Sequence, residues 1–254
     1  MSRVLIAQPG YGPVEPESWA AASKAVSKGD GHQATILRTR SSLLAHNFND
    51  CLAVCLNNSY DYFAMLHVDM NVPAGWITKL MVEMDECECD VIHAPAAIKD
   101  GRGLTSTAIA YADEDWGLTR RITTTELNNL PETFTVETIR DHLDADAKWL
   151  LPNTGCMLMR ADSWLKDFPG FEVRDRIRRH TEEIWVSEVL PEDWNFGLWC
   201  GRNGIEVAGT RKVVTEHFGR VGHSSNQTWG QETDSFWADR QSGVAPVKME
   251  VQEV

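Results

Sequence analysis

Short apolar runs alternate with helix-like segments along the first 98 residues. The apolar runs are bounded by turn residues and predict strands at 3–8, 33–38, 62–68 and 90–94. The segments between them carry apolar residues three and four positions apart and predict helices at 17–28, 43–57 and 74–85. This β-α-β-α-β-α-β order predicts an α/β fold with a mostly parallel central sheet and helices on both faces.

The pattern is weaker between residues 99 and 150, which are rich in Thr, Asp and Arg. Thr123-Thr-Thr125 and Asn128-Asn129 indicate loops or edge strands there. Regular patterns then return. They predict a strand at 156–159, a helix beginning at 161–164, a helix at 192–200, a pair of strands over 205–214 and a strand ending at His217.

A length of 254 residues suits one domain. We assign that domain to residues 1–222 and treat 223–254 as a C-terminal extension. The extension is polar and rich in Gly and Ser before it becomes acidic, so we expect its end to be mobile.

The chain is acidic, with 24 basic and 37 acidic side chains and a net charge of −13. Such a field repels polyanions, so binding to nucleic acid would need a local basic patch. Arg174, Arg176, Arg178, Arg179 and His180 form one candidate. The alternative, which we favour slightly, is a solvated helix face whose charges pair with acidic residues 182 and 183.

No apolar run approaches the roughly 18–20 residues that a membrane-spanning helix needs. The apolar block at 4–7 is also too short for the core of a signal peptide. We therefore expect a cytoplasmic protein without membrane insertion. The six cysteines form no CxxC pair, and reduced thiols are expected; Cys87 and Cys89 alone offer only two ligands to a soft metal.

Candidate chemistry begins at the sequence YFAMLHVDM, where an apolar run ends in His67 and Asp69. Two residues one position apart on a strand point to the same face. In a parallel sheet, ligands bind beyond the carboxyl ends of the strands, so the turn at 8–11 after the first strand should lie on the same rim. The other interpretation is a strand that stops at a polar turn.

Two later segments could contribute to the same rim. Gly155, in the sequence NTGCMLM, would let the backbone approach a ligand closely. Glu192 and Asp193 begin a predicted helix, where acidic side chains could equally serve to complement the helix dipole. His217 ends the predicted strand that follows this helix.

Four segments resemble, in order, the GT-A fold glycosyltransferases, and most closely the inverting family 2 group. They read VLIAQPGYG, LLAHNFNDCLAVCLNNSYDYFAMLHVDM, NTGCMLMRADSW and EDWNFGLWCGRNGIEVAGTRKVVTEHFG, and they span roughly 1–220. The resemblance implies a Rossmann-like GT-A domain. Its nucleotide-sugar half would be about 1–98 and its acceptor half about 99–222.

The resemblance also implies a metal site. Asp69 takes the position of the last acid in the family's DxD triplet, the one that contacts the metal. His67 replaces the first acid, so it could contact the metal, a phosphate or the ribose. His217 takes the position of the family's terminal His. An oxygen and nitrogen ligand set suits Mn²⁺ well and Mg²⁺ acceptably.

Further residues are implied to bind the donor. Gln8, Pro9 and Tyr11 would line the pocket for the nucleotide base, and Gly155 would lie close to the donor. Asn47 matches the polar position on the helix that meets the nucleotide. The family often has Arg just before that position, where this chain has His46.

Asp193 is implied to be the catalytic base, with Glu192 as the second candidate. A base opposite the leaving group gives inversion of the sugar. Trp194 and Trp229 are candidate platforms on which a sugar or base could stack. Core packing is the commoner role for any one of the 10 Trp residues.

The sequence therefore predicts a metal-dependent enzyme of the EC 2.4 class that transfers a sugar from a nucleotide-sugar, such as a UDP-sugar. The acceptor hydroxyl would belong to a soluble glycan or small molecule, or to a hydroxylated base in viral DNA, in which case the compartment is the host cytoplasm. One alternative is a nucleotidyltransferase, although AQPGYGPVEP lacks the basic residue of its triphosphate loop. The other is a non-catalytic module that binds a nucleotide or carbohydrate.

Overall fold

The computed structural model describes residues 2–10, 13–219 and 222–226. Its main feature is a seven-stranded central sheet. Across its width the strands are β2 (Gln33–Arg40), β1 (Arg3–Gly10), β3 (Tyr62–Leu66), β10 (Cys156–Arg160), β5 (Val91–His93), β13 (Val207–Thr210) and β8 (Thr133–Phe134). Five strands run in one direction, and only β10 and β8 oppose them within this sheet. The predicted α/β class with a mostly parallel, Rossmann-like sheet is confirmed.

Helices cover both faces of this sheet. They are α1 (Pro16–Ser23), α2 (Leu44–Asn57), α3 (Trp76–Glu86), α4 (Thr124–Asn129), α5 (Val136–His142), α6 (Ser163–Asp167) and α7 (Glu192–Arg202). Buried residues of α2, α5 and α7 belong to one core cluster, and buried residues of α1 and α3 belong to another. Among the described residues, no helix is long and apolar enough to cross a bilayer.

The strands supply alternate residues to these two cores. In β1, Leu5 faces the α2 and α7 side, whereas Val4 and Ile6 face the α1 and α3 side. In β10, Met157 faces the α2 and α7 side, and Leu158 faces the α1 and α3 side. Successive side chains on a strand point to opposite faces, so a strand covered on both sides must be apolar throughout. This explains the short, continuous apolar runs in the sequence.

Three smaller antiparallel units surround the central sheet. The first contains β7 (Thr119–Thr123), β6 (Leu104–Ala110) and β9 (Trp149–Leu151). The second contains β15 (Gly222–Ser224), β14 (Glu216–Phe218) and β4 (Met70–Asn71). The third is a hairpin of β11 (Arg174–Arg179) and β12 (Trp185–Leu190).

Several predicted boundaries were wrong. The strand predicted at 62–68 ends at Leu66, the helix predicted at 17–28 ends at Ser23, and the strand pair predicted over 205–214 is the single strand β13. The Thr-rich segment predicted as loop or edge strand contains α4. Its start is fixed by a capping box, in which the Thr123 side chain and Glu126 each bind the other's backbone N–H.

The favoured helical interpretation of the basic run was also wrong, because residues 174–179 form β11. Arg176 and Arg178 both bind Glu188 on the neighbouring strand, rather than acids 182 and 183. The arginines at 174, 176 and 178 are separated by two positions, a strand spacing that places them on one face. The intervening Ile177 lies on the opposite face, where its side chain is 73% exposed.

A substitution at Gly209 in β13 tests how tightly the central sheet packs against Phe134. A Cβ atom there would lie about 2.4 Å from Phe134 Cζ. We expect Gly209→Ala to lower the free energy of unfolding by about 1–3 kcal/mol, the usual cost of overpacking. Urea denaturation followed by tryptophan fluorescence measures this change. Gly101→Ala is the matched control, because a Cβ there meets nothing within 4 Å; equal stability of both variants would contradict the packing.

Candidate functional site

Asp69 lies in a tight turn that follows β3 at the carboxyl end of the parallel strands. The turn is held by the His67 amide, which donates to Gly155, and by the Met70 amide, which donates to His67. The next two residues form β4 and pair with β14. Because of this pairing, His217 Nε2 lies 3.5 Å from Asp69 Oδ2. Residues 148 positions apart in the chain therefore meet at one carboxylate, as the sequence interpretation expected.

Lys99 is a third member of this cluster, which we call the Asp69 cluster: Asp69, Lys99 and His217. The Lys99 ammonium forms an ion pair with Asp69 Oδ2. Burial alone would raise the pKa of Asp69, but His217 and Lys99 bring it well below the usual range. The carboxylate is thus ionised throughout the physiological range. Lys99 was missed in the sequence, where the available signal was its position shortly after β5, on the same rim.

His67 lies close to the Asp69 cluster and makes contacts of its own. Its Nε2 lies 3.2 Å from Thr154 Oγ1, and its ring packs 5.4 Å from the ring of Phe48. Burial lowers the pKa of His67 to about 4, so the ring is neutral at pH 7. A neutral imidazole next to a hydroxyl can donate or accept one hydrogen bond to a ligand, but it adds no charge.

The end of β1 packs directly against this turn. Gly10 approaches so closely that a Cβ atom there would lie 2.8 Å from Val68 Cγ1. Asn47, on α2, donates to the carbonyl oxygens of Gly10 and Ser41, at 3.3 Å each. The Asn47 side chain is 1% exposed, so it holds the ends of β1 and β2 together.

Gln8 and Pro9 are both buried in β1. The Gln8 amide donates to the Ser18 hydroxyl at 3.1 Å, and its carbonyl accepts from Arg38 Nε at 2.8 Å. The Arg38 guanidinium in turn lies over the Trp19 ring. The structure therefore places Gln8 and Pro9 behind the rim. Their role in base binding stays a prediction, and Tyr11 lies outside the described residues.

Gly155 lies on the other side of the turn, where β10 begins. A Cβ on Gly155 would contact Asn153 Oδ1 at 3.1 Å and Met70 Sδ at 3.6 Å. The Gly155 amide donates to the same Asn153 oxygen. Gly155 thus adjoins the Asp69 cluster, and its place in donor binding stays a prediction.

Glu192 and Asp193 form a second polar centre in the first turn of α7. Both side chains are partly buried, and the Asp193 carboxylate accepts from the amide of Trp194 at 2.8 Å. Burial and the neighbouring Glu192 raise the pKa of Asp193 well above the usual range, and the charge of Arg121 opposes this rise. A carboxylate with a raised pKa is suited to accept a proton near neutral pH.

A chain of contacts joins the two centres. Trp194 Nε1 donates to the Ser106 carbonyl on β6, and Ser106 donates to Ala96 through both its amide and its hydroxyl. Ala97, the next residue, lies 2.8 Å from His217 Nδ1 through its carbonyl oxygen. Contacts through residues 96–106 thus connect Trp194, which is next to Asp193, with His217. Trp194 itself is 2% exposed and packs mainly in the core; Trp229 lies outside the described residues.

The residues around Asp69 partly fit a divalent metal ion. The part of the chain that the structure describes contains no group of three His, Cys, Asp or Glu side chains arranged to hold one. However, a carbonyl oxygen can only accept, so the Ala97 contact puts a hydrogen on His217 Nδ1, and a metal at Nε2 would take the place of the proton that Nε2 otherwise directs at Asp69. Asp69 and His217 could supply two ligands, and phosphate oxygens of a substrate the others. Lys99 would then have to leave the Asp69 oxygen.

Comparisons with known proteins bear on the fold alone. No protein-family model matches the chain. No curated protein matches it either. Among solved structures, A197 from STIV is similar, with a TM-score of 0.52 and 14% identity over 99% of this chain and 100% of that one. A complex of CMP:2-keto-3-deoxy-manno-octonic acid synthetase with CTP also matches, with a TM-score of 0.41 and 14% identity over 82% of this chain and 89% of that one. The first similarity supports the α/β fold, and the second is too low to support any argument.

A divalent ion bound by Asp69 would compete with Lys99 for the same carboxylate oxygen. We expect Lys99→Met to bind Mn²⁺ at least about threefold more tightly than the unchanged protein, because the ammonium no longer occupies Asp69. Isothermal titration calorimetry with MnCl₂ measures the affinity. Lys79→Met, an exposed lysine on α3, is the control for lost charge. Equal gains in both variants, or none in Lys99→Met, would contradict this role.

Proposed function

We propose that this chain is a glycosyltransferase that moves a sugar from a nucleotide-sugar, in the first instance a UDP-sugar, to an acceptor hydroxyl with inversion. The observation that carries the proposal is that a series of hydrogen bonds connects two polar centres. One is the Asp69 cluster, at the carboxyl ends of parallel strands, where nucleotides bind in open α/β sheets. The other is Asp193, whose raised pKa suits a general base. The segment from 96 to 106 joins them.

The Asp69 cluster would bind the diphosphate of the donor. Cleavage of the bond between sugar and phosphate leaves negative charge on the diphosphate, and positive groups that are already positioned lower the barrier. Lys99 would supply such a charge on moving from Asp69 to a phosphate oxygen. Asp69 and His217 would hold Mn²⁺ or Mg²⁺, and the bound ion would supply further positive charge to the diphosphate. His67 would donate or accept a single hydrogen bond.

The second centre would activate the acceptor. Asp193 would take the proton of the attacking hydroxyl as the new bond to the sugar forms. Arg121 acts on the charge of Asp193 and would limit how far its pKa rises. Glu192 is a neighbour that keeps the pKa of Asp193 raised, and it is the second candidate for the base. The base would act from the face opposite the leaving group, which gives inversion.

The decisive experiment separates sugar transfer from nucleotidyl transfer. The protein is incubated with a panel of UDP-sugars and MnCl₂, and separately with UTP and sugar phosphates. We expect UDP to be released from at least one UDP-sugar, through transfer or slow donor hydrolysis. Release of pyrophosphate from UTP, without UDP release from any UDP-sugar, would show a nucleotidyltransferase. Binding of UDP-sugars without any turnover would show a binding module.

Asp193→Asn should reduce transfer by about 10²–10⁴-fold, since an amide cannot accept the proton. Binding of the donor should change by less than about twofold, because Asp193 lies outside the Asp69 cluster. Transfer is followed by UDP release and donor binding by calorimetry. Glu192→Gln is the matched control, and we expect it to keep most of the activity. Full activity in Asp193→Asn would remove Asp193 as the base.

The pH profile gives an independent check of the same role. An ordinary Asp has a pKa near 4, so its base form is complete above about pH 5. Burial and Glu192 raise the pKa of Asp193, so its base form should still be increasing across the neutral range. We therefore expect kcat/KM to rise as the pH is increased from about pH 5 to about pH 8. In Glu192→Gln this rise should move to lower pH, and a flat profile would contradict the assignment.

A further inference from the structure

A half-open cavity of about 330 Å³ lies between the β11–β12 hairpin and the start of α7. Leu190, two positions before Glu192, and Trp194, directly after Asp193, both line it. Trp116 also lines the cavity, and none of the lining residues belongs to the Asp69 cluster. The volume is at the lower end of the range for small-molecule sites and suits one ring with a small substituent.

The inner face of the β11–β12 hairpin provides the polar wall of this cavity. Arg176 and Arg178 line it together with Glu188, which accepts from Arg176 Nε at 2.7 Å and from Arg178 Nε. The Arg176 guanidinium lies 4.2 Å above the Trp116 ring. Because one carboxylate serves both arginines, their charges are only half balanced.

The same imbalance occurs at the other lining carboxylate. Asp115 is shared by Arg174 and Arg202. Asp115 lines the cavity, whereas Arg174 and Arg202 lie outside its lining and offset the charge of Asp115, in a chain whose net charge is −13. A local excess of positive charge within an acidic protein favours a small anion, whereas a long polyanion would be repelled by the rest of the surface.

We infer that this cavity is the acceptor subsite and that it takes a ring compound bearing a phosphate, a sugar phosphate or a nucleotide. This assignment rests on the proposed sugar transfer. Trp116 and the apolar residues 189 and 190 would pack against the ring, and Arg176 and Arg178 would bind the phosphate, for which the planar guanidinium group is well suited. A hydroxyl of the bound ring would then lie towards the first turn of α7. That turn carries Asp193, the proposed base.

The hairpin supplies a matched pair of variants. Arg178 is on the inner face and binds Glu188, whereas Arg179 is the next residue, is exposed and belongs to the outer face with Ile177. Arg178→Gln and Arg179→Gln remove the same charge from neighbouring positions. Arg176 still binds Glu188 in the first variant, so the hairpin keeps an ion pair across its strands.

Calorimetry with two pairs of probes tests the subsite: glucose 6-phosphate against glucose, and dTMP against thymidine. We expect one phosphorylated probe to bind at least about tenfold more tightly than its uncharged partner, and this identifies the source of the phosphate as sugar or nucleotide. Arg178→Gln should weaken that binding about tenfold, and Arg179→Gln by less than about twofold. Equal binding of charged and uncharged probes, equal effects of the two variants, or no binding of any probe would overturn the inference.

Two further arms separate other outcomes. A short oligonucleotide that binds more tightly than dTMP, with loss of that gain in Arg179→Gln, would show a nucleic-acid strand crossing the hairpin and overturn the small-molecule assignment. UDP-glucose binding is measured in the same samples. Phosphate-dependent probe binding without UDP-glucose binding would contradict the proposed transfer while the anion site stands. UDP-glucose binding without probe binding would contradict the subsite alone.

Discussion

The charge on Asp69 is the constraint around which the rest of the site is arranged. A partly buried carboxylate is unfavourable unless positive or hydrogen-bonding groups approach it. This chain brings those groups from two distant segments. Lys99 comes from the segment after β5, and His217 comes from β14 through its pairing with β4. The outer three-stranded sheet is short, but without it the carboxylate would lose one of its partners.

The central antiparallel strand has a related consequence. β10 lies between β3 and β5 and runs against both, so its amino-terminal end meets their carboxyl-terminal ends. The turn at Asn153 to Gly155 therefore lies on the same rim as His67 and Asp69. Thr154 is in contact with His67 for this reason alone. One reversed strand thus adds the start of a strand to a rim otherwise built from strand ends.

Local sequence patterns predicted the central sheet well, because strands buried on both faces have an unmistakable apolar run. The roles of Asp69, His217 and Asp193 came from the family resemblance and stay predictions, although the structure does bring Asp69 and His217 together. Lys99 was beyond that reasoning, because its role depends on where the chain leads after β5 and no periodicity marks that segment. The prediction for the β11–β12 hairpin was wrong for a different reason. Its alternating arginines fit a strand, but the acidic residues at 182 and 183 favoured a solvated helix with paired charges, and only the pairing with Glu188 decides between the two.

The β11–β12 hairpin differs from the rest of the fold in one respect that bears on how such a protein can diverge. Among the described strands, β11 and β12 pair only with each other, so their sequence and length can change without disturbing the register of the central sheet. Successive residues also alternate between the cavity and solvent, so substitutions on one face leave the other face unaltered. If the hairpin binds the acceptor as proposed, descendants of this chain could acquire new acceptors through a few hairpin substitutions, while the residues around Asp69 stay unchanged.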